Sequence, residues 1–138
     1  VRKTSRLFVI GSSLRVPMFT VVLRKGYGLG AQAMAAGSFH APLFNIAWPT
    51  GEFGAMGLEG AVRLGFRKEL EAAPESERQA LFDDLVAKSY EKGKAINMAS
   101  YLEIDAVIDP GDTRRWILRG IASIPATLPA RRAIVDTW

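Results

Sequence analysis

Apolar residues along the chain fall either in short continuous runs or in stripes with helical spacing. Residues 18–23 and 43–48 form two such runs, which are rich in β-branched and aromatic side chains and predict strands buried on both faces. Residues 2–14 and 57–66 repeat their apolar positions with helical spacing, so each predicts a helix. The second of these helices carries small residues that would let another backbone pack closely. The first half of the chain therefore predicts alternating strands and helices.

The chain becomes more charged after Pro74, where a surface helix is predicted. Ser76 and Gln79 have the spacing of a capping box, in which two side chains pair with backbone N–H groups at a helix start. Gly93 is a suitable residue to end the helix. Between these signals runs one apolar stripe. It consists of Phe82, Leu85, Val86 and Tyr90.

Three shorter elements are predicted to follow. Residues 96–101 predict a helix, residues 106–108 a strand, and residues 109–121 a helix with an aspartate cap and a first-turn proline. Residues 124–138 contain two prolines and predict an extended, weakly anchored tail. Short apolar strands separated by helices indicate an α/β domain.

Glycines are concentrated between residues 24 and 61, where eight of the thirteen lie. The apolar run 18–23 leads into the glycine-rich turn 24–30, and strong helix formers follow that turn. A strand, a glycine turn and a helix start in this order present unpaired N–H groups that carry partial positive charge. The arrangement suits an anion or a developing oxyanion, although a tight turn selected for packing fits the same residues.

Composition excludes several classes of function. A chain of 138 residues suffices for about one domain, and its 18 Lys and Arg are scattered instead of forming the basic stripe typical of nucleic-acid binding. No long apolar span or signal-peptide pattern occurs, so we expect a cytoplasmic location and no membrane contact. The absence of cysteine and the single histidine argue against disulfides, thiolate chemistry and a metal site.

Few side chains are candidates for catalysis. Glu52 and Glu59 could act as an acid/base pair, but a separation of seven residues across a glycine-rich loop specifies no geometry. The simpler interpretation is that one of them caps a helix or pairs with Arg63. His40 is interpreted as a loop histidine satisfied by backbone. Ser38 has no partner base in the sequence, so a nucleophilic triad is unsupported.

A dinucleotide site is a weaker interpretation of the glycine turn. Residues 28–33 match the pattern GxGxxA after a predicted strand. Such a unit needs a crossover of about a dozen residues, whereas residues 30–37 provide only about two helical turns. No Gly-Lys-Ser or Gly-Lys-Thr follows the turn, so the phosphate-binding P-loop pattern is absent.

Three segments of the sequence, taken in their order and spacing, identify a family more specifically than any one segment does alone. They are RKGYGLGAQAM at 24–34, AWPTGE at 47–52 and MGLEGAV at 56–62. Together they resemble the carboxyltransferase component of biotin-dependent acyl-CoA carboxylases of fatty acid metabolism, which includes the propionyl-CoA and acetyl-CoA carboxylase β subunits. Residues 105–114 are similar to the family segment V-I-D-P-x-x-T-R, and the likeness covers about residues 5–118.

The resemblance implies a crotonase-like α/β fold built from repeated ββα units with flanking helices. Family members combine two related halves, and all the matching motifs belong to the C-terminal half. Residues 1–138 are therefore expected to be a single C-terminal domain of a longer two-domain chain, and to be inactive alone. The expected partners are the N-terminal half of the same or another subunit in a homo-oligomer, and a biotin carboxyl carrier or biotin carboxylase subunit.

The resemblance also implies the reaction and the site. A carboxyl group moves from carboxybiotin, held on a separate carrier, to an acyl-CoA, and backbone N–H groups stabilise the ureido oxyanion. By position these donors are Leu29 and Gly30, with Gly28 in the same biotin-binding turn. Gln32 falls where the family lines the acyl pocket, often with an acid in propionyl-type enzymes, and its uncharged side chain leaves the length of the substrate open. Tyr27 is assigned to the same pocket, although it could equally be a core aromatic.

One departure from the family affects the site. Many members have Gly-Gly-Ala where this chain has Gly28-Leu29-Gly30. N–H donation is then expected only if Leu29 adopts the turn without a positive φ.

Three alternatives remain open at this point. Related decarboxylases run the reverse direction and share this half. A stand-alone crotonase-like hydratase or isomerase would use Glu52 as its catalytic carboxylate. A non-catalytic interaction module would use the glycine loops only for packing.

Overall fold

The computed structural model describes residues 4–126. The helices are α1 Ser5–Ser13, α2 Gly28–Met34, α3 Leu58–Gly65, α4 Arg67–Ala72, α5 Glu75–Lys92, α6 Ala95–Ser100 and α7 Thr113–Ala122, with a 3-10 helix at Pro110–Asp112. The strands are β1 Phe19–Val22, β2 Lys25–Tyr27, β3 Phe44–Ala47, β4 Glu52–Gly54 and β5 Ala106–Val107. The tail predicted over 124–138 lies almost entirely outside the described residues.

The strands form two parallel sheets. One has the order β1-β3-β5, with Phe19 opposite Phe44 and Ile46 opposite Ala106, and the other pairs β2 with β4. The chain thus repeats a ββα unit, because β1, β2 and α2 are followed by β3, β4 and α3, and equivalent strands pair. This arrangement confirms the predicted α/β class and the repeated ββα units.

The central strand β3 is the most deeply buried element. All four of its residues are buried, and on one face Phe44 and Ile46 pack with Ile108 and with Trp116 of α7. The strand β1 lies at the edge of the sheet and is only half-buried over most of its length. The prediction of burial on both faces is therefore confirmed for β3 and wrong for β1, since an edge strand lacks a neighbour on one side.

A second core connects the two sheets. Val22 and Ala47 of the three-stranded sheet pack with Phe53 of β4 and with Ala95 of α6. The backbone also joins these parts, because the N–H of Phe53 donates to the carbonyl of Gly93 at 2.8 Å. The strands that precede α2 and α3 are thereby fixed to one core.

The predicted surface helix is present as α5, but its start differs from the prediction. Pro74 occupies the cap position, and its carbonyl accepts from the N–H groups of Glu77 and Arg78. Ser76 therefore lies inside the helix, and the side chain of Gln79 donates to Asp83 instead of closing a capping box. The predicted end at Gly93 is confirmed.

The helix predicted over 57–66 is present as α3, but its glycines do not pack against another backbone. A Cβ added at Gly57, Gly60 or Gly65 would meet no atom within 4 Å. The buried positions of α3 are Leu58 and Val62. None of the helices in residues 4–126 is both long and apolar enough to cross a membrane.

Candidate functional site

The glycine turn joins β2 directly to α2. Tyr27 is the last extended residue, with φ −104° and ψ 131°, and the helix begins at Gly28. Gly28 has a φ of +57°, and a Cβ built there would lie 2.5 Å from the carbonyl oxygen of Ala55. Both the backbone conformation and the available space therefore require glycine at position 28.

Leu29, which stands where many family members have glycine, adopts the turn without a positive φ. In the described part of the chain, positive φ occurs at Ala36 and Leu102 among residues other than glycine, and not at Leu29. Gly28 adopts the left-handed conformation in its place. A side chain at position 29 is consequently compatible with the turn.

The N–H groups of Leu29 and Gly30 are free to donate. Both lie in the first turn of α2, where N–H groups have no intrahelical acceptor, and neither donates to another group within residues 4–126. The side chain of Leu29 is 60% exposed, and a Cβ at Gly30 would meet nothing within 4 Å. The turn therefore carries two adjacent unpaired donors in exposed residues.

Tyr27 contacts the neighbouring strand through its phenol. The hydroxyl donates to Oε2 of Glu52 at 2.7 Å, across the parallel pair β2–β4. Burial of the phenol and this hydrogen bond raise the pKa of Tyr27 well above its usual range, and Tyr90 of α5 adds to the shift. Glu52, one of the two glutamates considered as a partner of Arg63, therefore accepts from Tyr27.

Arg63 and Glu59 have other surroundings. The guanidinium of Arg63 lies over the ring of Phe82, 4.5 Å from its centroid. Glu59 is exposed in the first turn of α3 and takes part in none of the ion pairs of the described residues. The suggested pairing of a glutamate with Arg63 is therefore wrong.

Gln32 lies one turn beyond Gly28 and is only 5% exposed. Its Oε1 is buried and has no hydrogen-bond partner in the structure. A buried polar atom of this kind usually contacts water or a ligand, because leaving it unpaired is costly. The structure thus combines the free N–H pair of the turn and an unsatisfied amide oxygen on the same short helix.

Asn45 is a buried polar residue that the sequence analysis missed. It is 1% exposed, and neither polar atom of its side chain has a partner. Its N–H donates to Oδ2 of Asp105 at 2.7 Å, and its carbonyl accepts from the N–H of Asp105 at 2.8 Å. The available signal was one amide inside the apolar run 43–48.

The side chains of His40 and Ser38, and that of Trp48 after β3, have structural surroundings. His40 is exposed, its Nε2 is 4.0 Å from Oε2 of Glu103, and its backbone N–H donates to Oγ of Ser38 at 3.1 Å. Trp48 donates from Nε1 to Oγ1 of Thr113 at 2.9 Å, which joins β3 to the start of α7. The described residues contain no cluster of side chains suited to a metal ion.

Comparison with known proteins identifies the class to which this fold and turn belong. Residues 2–129 match the family described as Carboxyl transferase domain, and the chain belongs to this family. It is 36% identical over 119 residues to the propionyl-CoA carboxylase carboxyltransferase subunit of Haloferax mediterranei, covering 86% of this chain and 22% of that protein. The methylmalonyl-CoA carboxyltransferase 12S subunit of Propionibacterium freudenreichii subsp. shermanii is 35% identical over 140 residues, which cover 96% of this chain and 25% of that subunit.

Solved structures agree with this assignment. A single-chain, multi-domain long-chain acyl-CoA carboxylase matches with 58% identity and a TM-score of 0.74, covering 86% of this chain and 11% of that one. A transcarboxylase 12S structure matches with 33% identity and a TM-score of 0.79, covering 95% of this chain and 25% of that one. The fold is the crotonase-like fold of carboxyltransferase domains, as expected. The chain spans about a quarter of the length of the curated relatives that it matches.

Proposed function

We propose that this chain is the C-terminal domain of a carboxyltransferase that moves a carboxyl group from biotin to an acyl-CoA. Membership of the family supports the reaction, and the greater length of the relatives supports a domain within a longer enzyme. Biotin, attached to a separate carrier, supplies the carboxyl group. The observation that carries the proposal is the pair of unpaired N–H groups of Leu29 and Gly30, at the position to which the resemblance assigns biotin.

The glycine turn fits an oxygen that gains negative charge during a reaction. The two N–H groups are adjacent and unpaired, they belong to exposed residues, and a Cβ built on Gly30 would meet no atom within 4 Å. The helix and the left-handed Gly28 fix both donors before any ligand arrives, so they need no reorganisation when charge develops. In the proposed role Leu29 and Gly30 donate to the ureido oxygen of biotin, and Gly28 lets the backbone approach it. No side chain of this chain is assigned a proton transfer.

Gln32 and Tyr27 are proposed to line the acyl side of the same site. The buried, unpaired Oε1 of Gln32 supports a position that contacts substrate or ordered water. An uncharged amide also suits an apolar chain better than the acid that many members carry there. Together with 58% identity to a long-chain acyl-CoA carboxylase, this favours a long-chain acyl-CoA as substrate.

A homo-oligomer and a biotin carrier complete the proposal. Leu29 and Met34 on α2, and Met56 next to the Ala55 that contacts Gly28, are exposed large apolar residues, and such surface usually marks an interface. The 12S relative is described as a hexamer in a multienzyme core. We therefore propose that an N-terminal half, from the same or another subunit, covers this face, and that a biotin carboxyl carrier or biotin carboxylase subunit delivers biotin.

The test is the decarboxylation of carboxylated acyl-CoAs by the full-length protein that contains this chain, with biocytin as acceptor. We expect turnover that requires biocytin and a higher kcat/KM for a carboxylated long-chain acyl-CoA than for malonyl-CoA or methylmalonyl-CoA. Reaction of the CoA esters without biocytin would instead support a hydratase or a biotin-independent decarboxylase. No reaction from the folded protein would leave only a packing role for the glycines.

A further inference from the structure

The strand β4 and the residue after it contact the glycine turn at two consecutive positions. Glu52 accepts the phenol of Tyr27 at 2.7 Å, and the carbonyl of Ala55 lies against Gly28 so closely that a Cβ would not fit. The contacted residues, Tyr27 and Gly28, immediately precede Leu29. The position of the donors therefore depends on contacts made by β4.

The first turn of the helix α2 depends on tertiary contacts of this kind. It is only seven residues long, and no side chain caps its N-terminus, where Tyr27 is the cap residue. Helices of this length are unstable in isolation and depend on tertiary contacts. A hydrogen bond from a phenol to a carboxylate is among the stronger contacts available, because the acceptor is charged.

Glu52 is itself held firmly. Its N–H donates to the carbonyl of Arg24 at 2.7 Å, it stands opposite Lys25 in the parallel pair, and it forms an isolated antiparallel bridge with Lys94. A carboxylate on such a fixed backbone can hold the phenol of Tyr27 in one position through their hydrogen bond. The raised pKa of Tyr27 agrees with a phenol that stays protonated and donates to Glu52.

We infer that Glu52 is a positioning residue for the biotin site, which acts through the phenol of Tyr27 to fix the N–H groups of Leu29 and Gly30. The inference rests on the proposed function of the turn. It differs from the hydratase alternative, in which the carboxylate of Glu52 would itself transfer a proton. The inference also explains why a glutamate occurs at position 52, since the glycine-rich residues 24–61 contain only one other carboxylate, Glu59.

The experiment uses the full-length protein and separates the hydrogen bond from the charge. Tyr27→Phe removes the donor, Glu52→Ala removes the acceptor, and Glu52→Gln keeps an acceptor oxygen without the charge. The double variant Tyr27→Phe/Glu52→Ala tests whether the two residues act as one unit. Glu59→Ala is the control, because this carboxylate is exposed and in the next helix.

The first readout is the biocytin-dependent reaction. Tyr27→Phe and Glu52→Ala are each expected to lower kcat by about 10- to 100-fold, since displacement of donors by about 1 Å has effects of this size. The KM for the acyl-CoA should change much less than kcat, and the double variant should be no worse than either single one. Glu52→Gln should retain activity within about five-fold, because its amide oxygen still accepts from the phenol. Glu59→Ala should match the wild type.

The second readout is amide hydrogen exchange, which does not depend on the reaction. Exchange in the peptide 24–34 should accelerate in Tyr27→Phe and Glu52→Ala but not in Glu52→Gln, while the peptide 75–92 stays unchanged. If Glu52→Gln loses as much activity as Glu52→Ala, the carboxylate acts directly and the inference is wrong. Unchanged exchange and activity in Tyr27→Phe would also overturn it. If the wild type shows no biocytin-dependent turnover, the proposed function fails, and the exchange pattern still decides whether the pair fixes the turn.

Discussion

The two ββα units of this chain have the same order of elements but use glycine differently. In the first unit α2 begins at Gly28 directly after β2, with a φ of +57° and the carbonyl of Ala55 in close contact. In the second unit three residues separate β4 from α3, and Gly57 precedes the helix with a φ of −52° and open space around it. Glycine is required at the helix start of the first unit and replaceable at that of the second.

This difference shows which glycines of the chain mark a site. Both segments are rich in glycine, and both follow a strand and precede a helix. Only the first combines a left-handed residue, two unpaired N–H groups and a neighbouring strand that holds the turn. The first residue of α3, Leu58, instead places a buried side chain in the core, so this helix start serves packing.

The largest effect that we predict is the difference between alanine at Gly28 and alanine at Gly57. Gly28→Ala should lower biocytin-dependent activity by at least about 10³-fold, because it displaces both donors, and should also lower the melting temperature. Gly57→Ala should leave activity unchanged and stabilise the fold by about 0.5 kcal/mol, as expected at an unstrained open position. Activity assays and thermal unfolding of both variants provide the measurement. Similar losses in the two variants would contradict the distinction between the units.

The next prediction separates the side chain of Leu29 from its N–H group. Leu29→Pro removes the donor at a position in the first helical turn, where proline is tolerated, and should lower kcat by about 10²-fold. Leu29→Ala keeps the donor and should retain activity within a few-fold. Circular dichroism checks that both variants are folded. A Pro variant as active as the Ala variant would show that this N–H does not bind the reacting oxygen.

A smaller effect is predicted at the buried position one turn into each helix, which is Gln32 in α2 and Val62 in α3. Gln32→Asp should change the ratio of kcat/KM between long-chain and short-chain substrates by about 10-fold, with a smaller change in turnover. Val62→Ala should cost about 2 kcal/mol of unfolding free energy through a cavity without changing that ratio. Equal loss on all substrates in Gln32→Asp would exclude Gln32 from the acyl pocket.

The smallest predicted effect is on the pH dependence of stability. The pKa of Tyr27 is raised in the folded state, so the folded protein holds this proton more tightly than the unfolded chain. The resulting stabilisation is present below pH about 10 and is lost as pH rises above it. Tyr27→Phe should therefore weaken the decline in unfolding free energy at high pH, and Tyr101→Phe, at a residue 73% exposed, should not. Chemical denaturation between neutral and strongly alkaline pH measures both.

Local pattern was sufficient for most of the elements. The apolar runs 18–23 and 43–48 became β1 and β3, and the stripe of the charged segment became α5. Periodicity succeeds here because it reflects which side of one element meets the core. The capping box at Ser76 failed because Pro74 supplies the cap first.

The sequence by itself determined the α/β class, the order of the elements apart from β2, β4 and α4 and, through three spaced motifs, the family. The tertiary structure alone decided that β1 is an edge strand, that Gly28 is constrained while Gly57 is not, and that Glu52 accepts from Tyr27. These features depend on residues 25 or more positions apart in sequence, such as Tyr27 and Glu52. Helical and strand periodicity describe how one segment divides its own faces, whereas a long-range contact depends on which other segment folds against it.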